Sequence, residues 1–135
     1  MADLNAAVTD THPLVFYAAG GGRLGPRAKA VFDAADARRT IIYVPAAVIW
    51  EVGMLARIVR INLHRPVRAF FADLFSNPAF QPHPIDPGQV FDADELRFTR
   101  DPFDALISAA ARDLNVPLIT RDATIRASGT VTTVW

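Results

Sequence analysis

The chain has 135 residues, is 51% hydrophobic and carries fourteen basic and fourteen acidic side chains, for a formal net charge of zero. That length and apolar content predict a single folded domain over residues 1–135 and exclude a disordered chain, while neutrality means that any nucleic-acid binding must come from a local patch. Cysteine is absent, which removes disulfides, thiolate metal sites and cysteine nucleophiles and agrees with a cytoplasmic location.

The first residues have neither a positive start nor an apolar core, so they do not read as a signal peptide. Ala6 to Thr9 form a short apolar strand ending at Asp10. Thr11, His12 and Pro13 start a helix over Leu14 to Ala19, closed by Gly20-Gly21-Gly22. Pro26 opens a helix from Arg27 to Arg38. Thr40 to Val44 is a β-branched and aromatic run, a good buried strand ended by Pro45. A long helix is predicted from Ala46 to about Leu63, and another opens at Pro66 and ends near Asn77-Pro78. The longest apolar run, Ile41 to Trp50, contains Pro45 and is far short of a membrane span, so no membrane contact is expected.

Ala79 to Ile85 is a weak strand, interrupted by Pro82 and Pro84, and Asp86-Pro87 starts a helix to about Leu96. Asp101 caps a further helix, Pro102 suits its first position, and Phe103, Leu106, Ile107 and Ala110 recur at helical spacing. Asn115 leads into a buried strand, Val116 to Thr120. One helical turn over Ala123 to Ala127 and a last strand, Thr130 to Trp135, complete the chain. Strands alternating with helices predict a three-layer α/β/α fold around a central parallel sheet of four to five strands.

In such folds, sites lie beyond the carboxyl ends of the strands, where strand order reverses. Asp10 ends the first strand and Asp122 follows the fourth. A crossover helix runs antiparallel to its strands, so the first turn of the Asp101 helix brings Asp104 to the same edge. Glu51 lies roughly 7 Å into its helix at about 1.5 Å per residue, and helical side chains lean back toward the N-terminus. Four carboxylates converging without basic partners are costly unless protonated or filled by a cation. Oxygen-only ligands select Mg²⁺ or Mn²⁺, and that arrangement serves metal-assisted phosphodiester hydrolysis.

Structural roles compete at each position. Asp10 also serves as a plain helix cap, and Asp101 with Asp104 resembles a capping box with Asp in place of Glu. Glu51 is harder to explain that way, because Trp50 and Val52 beside it are core types. His12, His64 and His83 are scattered and receive no role. Arg57, Arg60, His64 and Arg68 recur at helical steps, with Arg65 beside them, and would form a basic stripe on one or two continuing helices. It is either plain solvation or a phosphate track for RNA.

Four segments together show a resemblance: Val8-Thr9-Asp10-Thr11-His12, Val44 through Glu51, Asp101 through Ile107, and Leu118 through Asp122. They look like the four blocks of PIN-domain ribonucleases, most closely the VapC-type toxins of bacterial toxin–antitoxin pairs, and the resemblance runs from about Val8 to Trp135. It implies a PIN fold, Mg²⁺- or Mn²⁺-dependent RNA cleavage, a frequent homodimer, and inhibition by a cognate antitoxin. The family's acidic positions fall on Asp10, Glu51, Asp104 and Asp122, and Thr120 matches a hydroxyl position near the site. The first strand starts later than is usual, and Pro45 stands where Ser or Thr is common; neither touches an acid. The helices Leu14 to Ala19 and Arg27 to Arg38 offer a groove for an amphipathic antitoxin helix.

Other functions fit less well. A receiver-like module needs a Lys at a later strand end, and the only lysine is Lys29, in an early helix. A phosphatase with an Asp nucleophile usually has a second Asp two positions on, where this chain has His12. Dinucleotide and P-loop glycine patterns are absent. A degenerate binding protein of the same fold is the remaining alternative, disfavoured by four intact acids.

Overall fold

In a computed structural model describing residues 4–135, the apolar runs of the sequence pair into one five-stranded sheet. The elements are β1 (Ala6–Thr9), α1 (Thr11–Ala18), α2 (Pro26–Asp36), β2 (Ile41–Pro45), α3 (Ala46–Arg57), α4 (Val67–Leu74), β3 (Phe80–His83), α5 (Pro87–Glu95), α6 (Pro102–Leu114), β4 (Leu118–Ile119), α7 (Ala123–Ser128) and β5 (Thr133–Val134). Every pairing is parallel, and the order is β3-β2-β1-β4-β5. Consecutive residues Ala7, Val8 and Thr9, and again Leu118, Ile119 and Thr120, are fully buried, so helices cover both faces of the sheet. The chain builds outward from β1 through β2 to β3, then returns to β1's other side and builds outward again from β4. Strand order therefore reverses between β1 and β4.

The core is centred on Val8, Ile42, Val44, Leu118 and Ile119 of the sheet, with Leu14, Phe32, Val48 and Ile107 from the helices. Under α1 and α2 the rings of Tyr17 and Phe32 stack at 4.7 Å, and Tyr17 stacks on Phe80 at 5.4 Å. Pro82 pairs opposite Val44 in β3, the outermost strand, where a missing N–H costs no ladder bond. Gly25 is required by packing: a Cβ there would lie 2.7 Å from the Trp135 backbone, which also accepts a hydrogen bond from the Arg27 N–H. Among the described residues no helix is long and apolar enough to cross a membrane.

Several boundaries differ from the sequence-based expectation. α1 begins at Thr11 rather than Leu14, because the Asp10 carboxylate accepts the Thr11 N–H and starts the helix early. The strands expected over Val116 to Thr120 and Thr130 to Trp135 contract to two residues each. The largest difference is α3, which stops at Arg57 instead of running to about Leu63. Val59 adopts φ +60°, the Val59 N–H bonds the Ala56 carbonyl at 3.2 Å, and the Arg60 N–H bonds the Leu55 carbonyl at 2.9 Å. That is a Schellman closure with a β-branched residue where glycine is usual. α2 closes the same way on Arg38, at φ +61°. The break in α3 also disposes of a continuous basic stripe: Arg57, Arg60, His64 and Arg68 do not share one helical face, His64 itself sits at φ +59°, and Arg65 pairs with Asp73 at 3.1 Å.

Candidate functional site

The site forms where strand order reverses. Val8 pairs with Leu118 and Thr9 with Ile119, and the Asp10 N–H bonds the Ile119 carbonyl at 3.0 Å, so the chain ends of β1 and β4 emerge side by side. Asp10 is 8% exposed and Thr120 is fully buried. The Thr120 hydroxyl donates to Asp10 Oδ2 at 2.7 Å and accepts the Asp122 N–H at 3.1 Å, fixing two acids from one side chain. Asp10 Oδ1 accepts the Thr11 N–H at 2.8 Å, and Asp122 Oδ1 accepts the Ile125 N–H at 3.0 Å. Each acid thus caps the helix that follows it while facing the crevice.

α3 supplies Glu51, half-buried, whose Oε1 accepts a hydrogen bond from the Thr11 hydroxyl. α6 supplies Asp101 and Asp104. Asp101 is the N-cap, with extended backbone and Oδ1 accepting the Phe103 N–H at 2.8 Å. The capping-box reading fails on its second half: the Asp101 N–H goes to the Thr99 hydroxyl at 3.0 Å, and Asp104 does not reach back to it. Among the described residues Asp104 has no hydrogen-bond partner, which leaves both its oxygens to the crevice.

Asp10, Glu51, Asp104 and Asp122 line one pocket of about 290 Å³, together with Asp101, His12, Pro13 and Arg121. Arg57 and Arg60 lie outside it, exposed at the far end of α3. Burial raises the Asp10 carboxyl above the ordinary carboxylate range, opposed by the bonds from Thr120 and Thr11. Burial likewise raises Glu51, opposed by the Thr11 hydroxyl and reinforced by the charge of Asp10. Asp104 has no such opposition: burial and then the charges of Asp101, Asp10, Asp122 and Glu51 push it up to about 7.

Sequence reasoning missed Thr11, His12 and Arg121. His12 lowers the pKa of both Asp10 and Glu51 by its charge, a role foreshadowed only by its place two residues after Asp10. Arg121 had a clearer signal, since it adjoins Asp122.

Among the described residues no three His, Asp or Glu side chains stand close enough to close around a metal ion by themselves. The donor set still suits a hard divalent cation. It is all oxygen, burial and neighbouring charges raise Asp10, Glu51 and Asp104, and Asp104, Glu51 and Asp122 each keep an oxygen that accepts no protein hydrogen bond. A Mg²⁺-sized ion that retains several waters needs only one or two direct carboxylates, with the others bonding its waters.

The raised Asp104 carboxyl has a consequence for stability. The folded protein holds a proton there that an unfolded chain, titrating near the ordinary aspartate value of 3.8, has already released. Stability is therefore lost as pH rises toward and through about 7. Thermal melts in EDTA at pH 5 and pH 8 are expected to show Asp104→Asn gaining on the wild type as pH rises, by a few degrees at pH 8. Parallel pH profiles for the two proteins would show that Asp104 does not carry this strain.

A sequence profile of the PIN domain matches residues 7–129. No match is found among curated proteins. Among solved structures, a chain of VapBC2 from Rickettsia felis, bound to a fragment of promoter DNA, superposes with a TM-score of 0.69 at 13% identity, over 95% of this chain and 96% of that one. A chain of a toxin–antitoxin complex from Klebsiella pneumoniae gives 0.63 at 20% identity, over 94% and 96%. VapC20 of Mycobacterium tuberculosis, a toxin that cleaves the sarcin–ricin loop, gives 0.65 at 16% identity, over 91% and 95%. At these identities the likeness concerns the fold. With the profile spanning nearly its whole length, the chain belongs to the PIN domain family and has the fold of its VapC-type toxins.

Proposed function

We propose that this protein is a Mg²⁺- or Mn²⁺-dependent endoribonuclease and the toxin of a toxin–antitoxin pair, acting in the cytoplasm. The observation that carries this reading is the convergence of Asp10, Glu51, Asp104 and Asp122, from four separate elements, on one pocket at the strand reversal. No core or capping requirement explains all four. Asp10 and Asp122 do cap helices, but Glu51 and Asp104 do not, and Asp104 is held where burial, and then the charges of its neighbours, raise its pKa to about 7. Such an arrangement is retained at functional sites, where repulsion is relieved by a ligand.

The residues then divide the work. Asp10, Asp104, Glu51 and Asp122 would hold the ion, directly or through its waters. Bound there, the ion supplies an acidified water and charge compensation for the leaving oxygen of a phosphodiester. Thr120 fixes Asp10 and orients Asp122, and Thr11 turns Glu51 back toward the strand ends. Asp101 spends one oxygen on its own helix, so it supports the site as a cap. Arg57 and Arg60, exposed beyond the pocket, are outlying contacts for the RNA backbone.

Two surfaces support the partners. A groove of about 650 Å³ runs between α1, α2 and α4, floored by Val15, Tyr17, Leu24, Phe32, Phe70 and Leu74. Its apolar floor suits the amphipathic helix of an antitoxin. Along α3, Trp50 is 59% exposed and Ile58, just past its end, 61%, which is costly in water and suits a second copy of the chain.

Cleavage of a panel of structured RNAs with Mn²⁺ tests the enzyme. Glu51→Gln is expected to keep the fold but lose metal binding and most cleavage. Asp104→Asn is expected to lose most cleavage as well, whereas Asp101→Asn should retain it within roughly tenfold, about 1.4 kcal/mol of barrier, because Asn also caps well. If Asp101→Asn is the dead variant and Asp104→Asn the active one, the roles of these two acids are exchanged. An intact RNA panel together with no bound metal would remove the enzyme reading.

The partners are tested by light scattering on the free protein and by co-purification with the product of the adjacent gene. A dimer that Trp50→Arg splits, and a stable, inactive complex weakened by Phe70→Ser, are expected. A monomer, or a complex as active as the free protein, would contradict them.

A further inference from the structure

Five carboxylates in one pocket repel a polyanion, so an RNA strand reaching that pocket needs positive charge at its flank. Arg57, at the C-terminal end of α3, and Arg60, just beyond it, do not line the pocket. Two other arginines stand next to it. Arg121 lies between β4 and α7 and lines the acid pocket itself. Its guanidinium carbon is 4.7 Å from the centroid of the Phe16 ring. Arg23, in the loop after α1, places its own guanidinium carbon 4.6 Å from that same centroid.

Phe16 is 5% exposed and is itself held between the His12 ring at 6.2 Å and the edge of Trp135 at 6.5 Å. Both arginines are exposed, and among the described residues neither forms an ion pair, although five acids share the pocket with Arg121. Two positive charges thus stand against one ring, and neither has a carboxylate partner among the described residues.

We propose that Arg23 and Arg121, fixed on Phe16, form a phosphate clamp that receives an RNA phosphodiester adjacent to the one cut at the acid pocket. The inference rests on the ribonuclease reading and adds to it where the strand runs. A guanidinium stacked on a ring keeps its N–H donors in its own plane, directed outward, so the aromatic contact does not consume the fork that a phosphate needs. The ring also removes side-chain freedom before binding, which lowers the entropic cost of the contact. A phosphate received there would supply the negative partner that neither exposed arginine has among the described residues.

The test is binding of a fluorescein-labelled, mixed-sequence single-stranded RNA in EDTA, where cleavage does not occur, followed by anisotropy from 50 to 300 mM KCl. Arg23→Gln and Arg121→Gln are each expected to weaken binding several-fold at low salt and to make the salt slope shallower by about 0.7. The double variant should lose about twice that slope. Arg121→Lys should keep the slope and recover only part of the affinity, because it restores charge without the stacked fork. Arg112→Gln, at the opposite end of α6, should behave as the wild type. Thermal melts of all variants are expected to be close to the wild type, since both arginines are exposed. Wild-type slopes in Arg23→Gln and Arg121→Gln, with a wild-type protein that binds and cuts RNA, would overturn the clamp alone. A wild-type protein that neither binds RNA in EDTA nor cleaves it with Mn²⁺ would overturn the ribonuclease reading and the clamp with it.

Discussion

A buried hydrogen bond from Thr120 to Asp10, between residues 110 positions apart, joins the two strands at which the sheet reverses direction. Everything at the site is arranged around it. It holds the Asp10 carboxylate in a place where burial would otherwise favour the neutral form, and through the same hydroxyl it anchors the Asp122 backbone. Losing it would leave a buried carboxylate short of a partner, although the backbone bond from the Asp10 N–H to the Ile119 carbonyl would still join the two strand ends.

The caps extend that logic. Asp10, Asp101 and Asp122 each accept an N–H at the start of the helix they precede, so each acid is favoured by local structure as well as by its place in the crevice. Asp101 and Asp122 give one oxygen to a cap and can present the other, whereas both oxygens of Asp10 already accept protein hydrogen bonds. Glu51 and Asp104 receive no such help from their helices. Glu51 relies on the Thr11 hydroxyl, and Asp104 accepts no hydrogen bond within the described chain, so burial and then the surrounding charges act on it unopposed. The pocket is thus built from four acids that accept hydrogen bonds from the fold and completed by a fifth, Asp104, that accepts none among the described residues.

Much of this was legible from residue order. Asp10 and Asp122 end apolar runs, and Asp104 follows an Asp-Pro helix start, so a parallel sheet has to bring them to one edge. Glu51 stood out as a charge among core residues. Other features depended on geometry that sequence does not encode locally. The end of α3 was missed because Val59, not glycine, occupies the left-handed position of its closure. The capping box was misread because Thr99 captures the Asp101 N–H that Asp104 was expected to take. His12 and Arg121 looked unremarkable in a chain with thirteen arginines, and only the adjacency of β1 and β4 and the position of Phe16 bring them to the pocket.

If a hard divalent cation completes the acid cluster, as proposed, its binding should displace the proton held on Asp104. Calorimetric titration of Mn²⁺ into the protein at pH 7, in two buffers of different ionisation enthalpy, measures both binding and the protons released. The account predicts saturable binding by the wild type with release of a fraction of a proton, and weak binding without release by Asp104→Asn. Absence of Mn²⁺ binding to the wild type, or equal affinity and proton release in the two proteins, would contradict it.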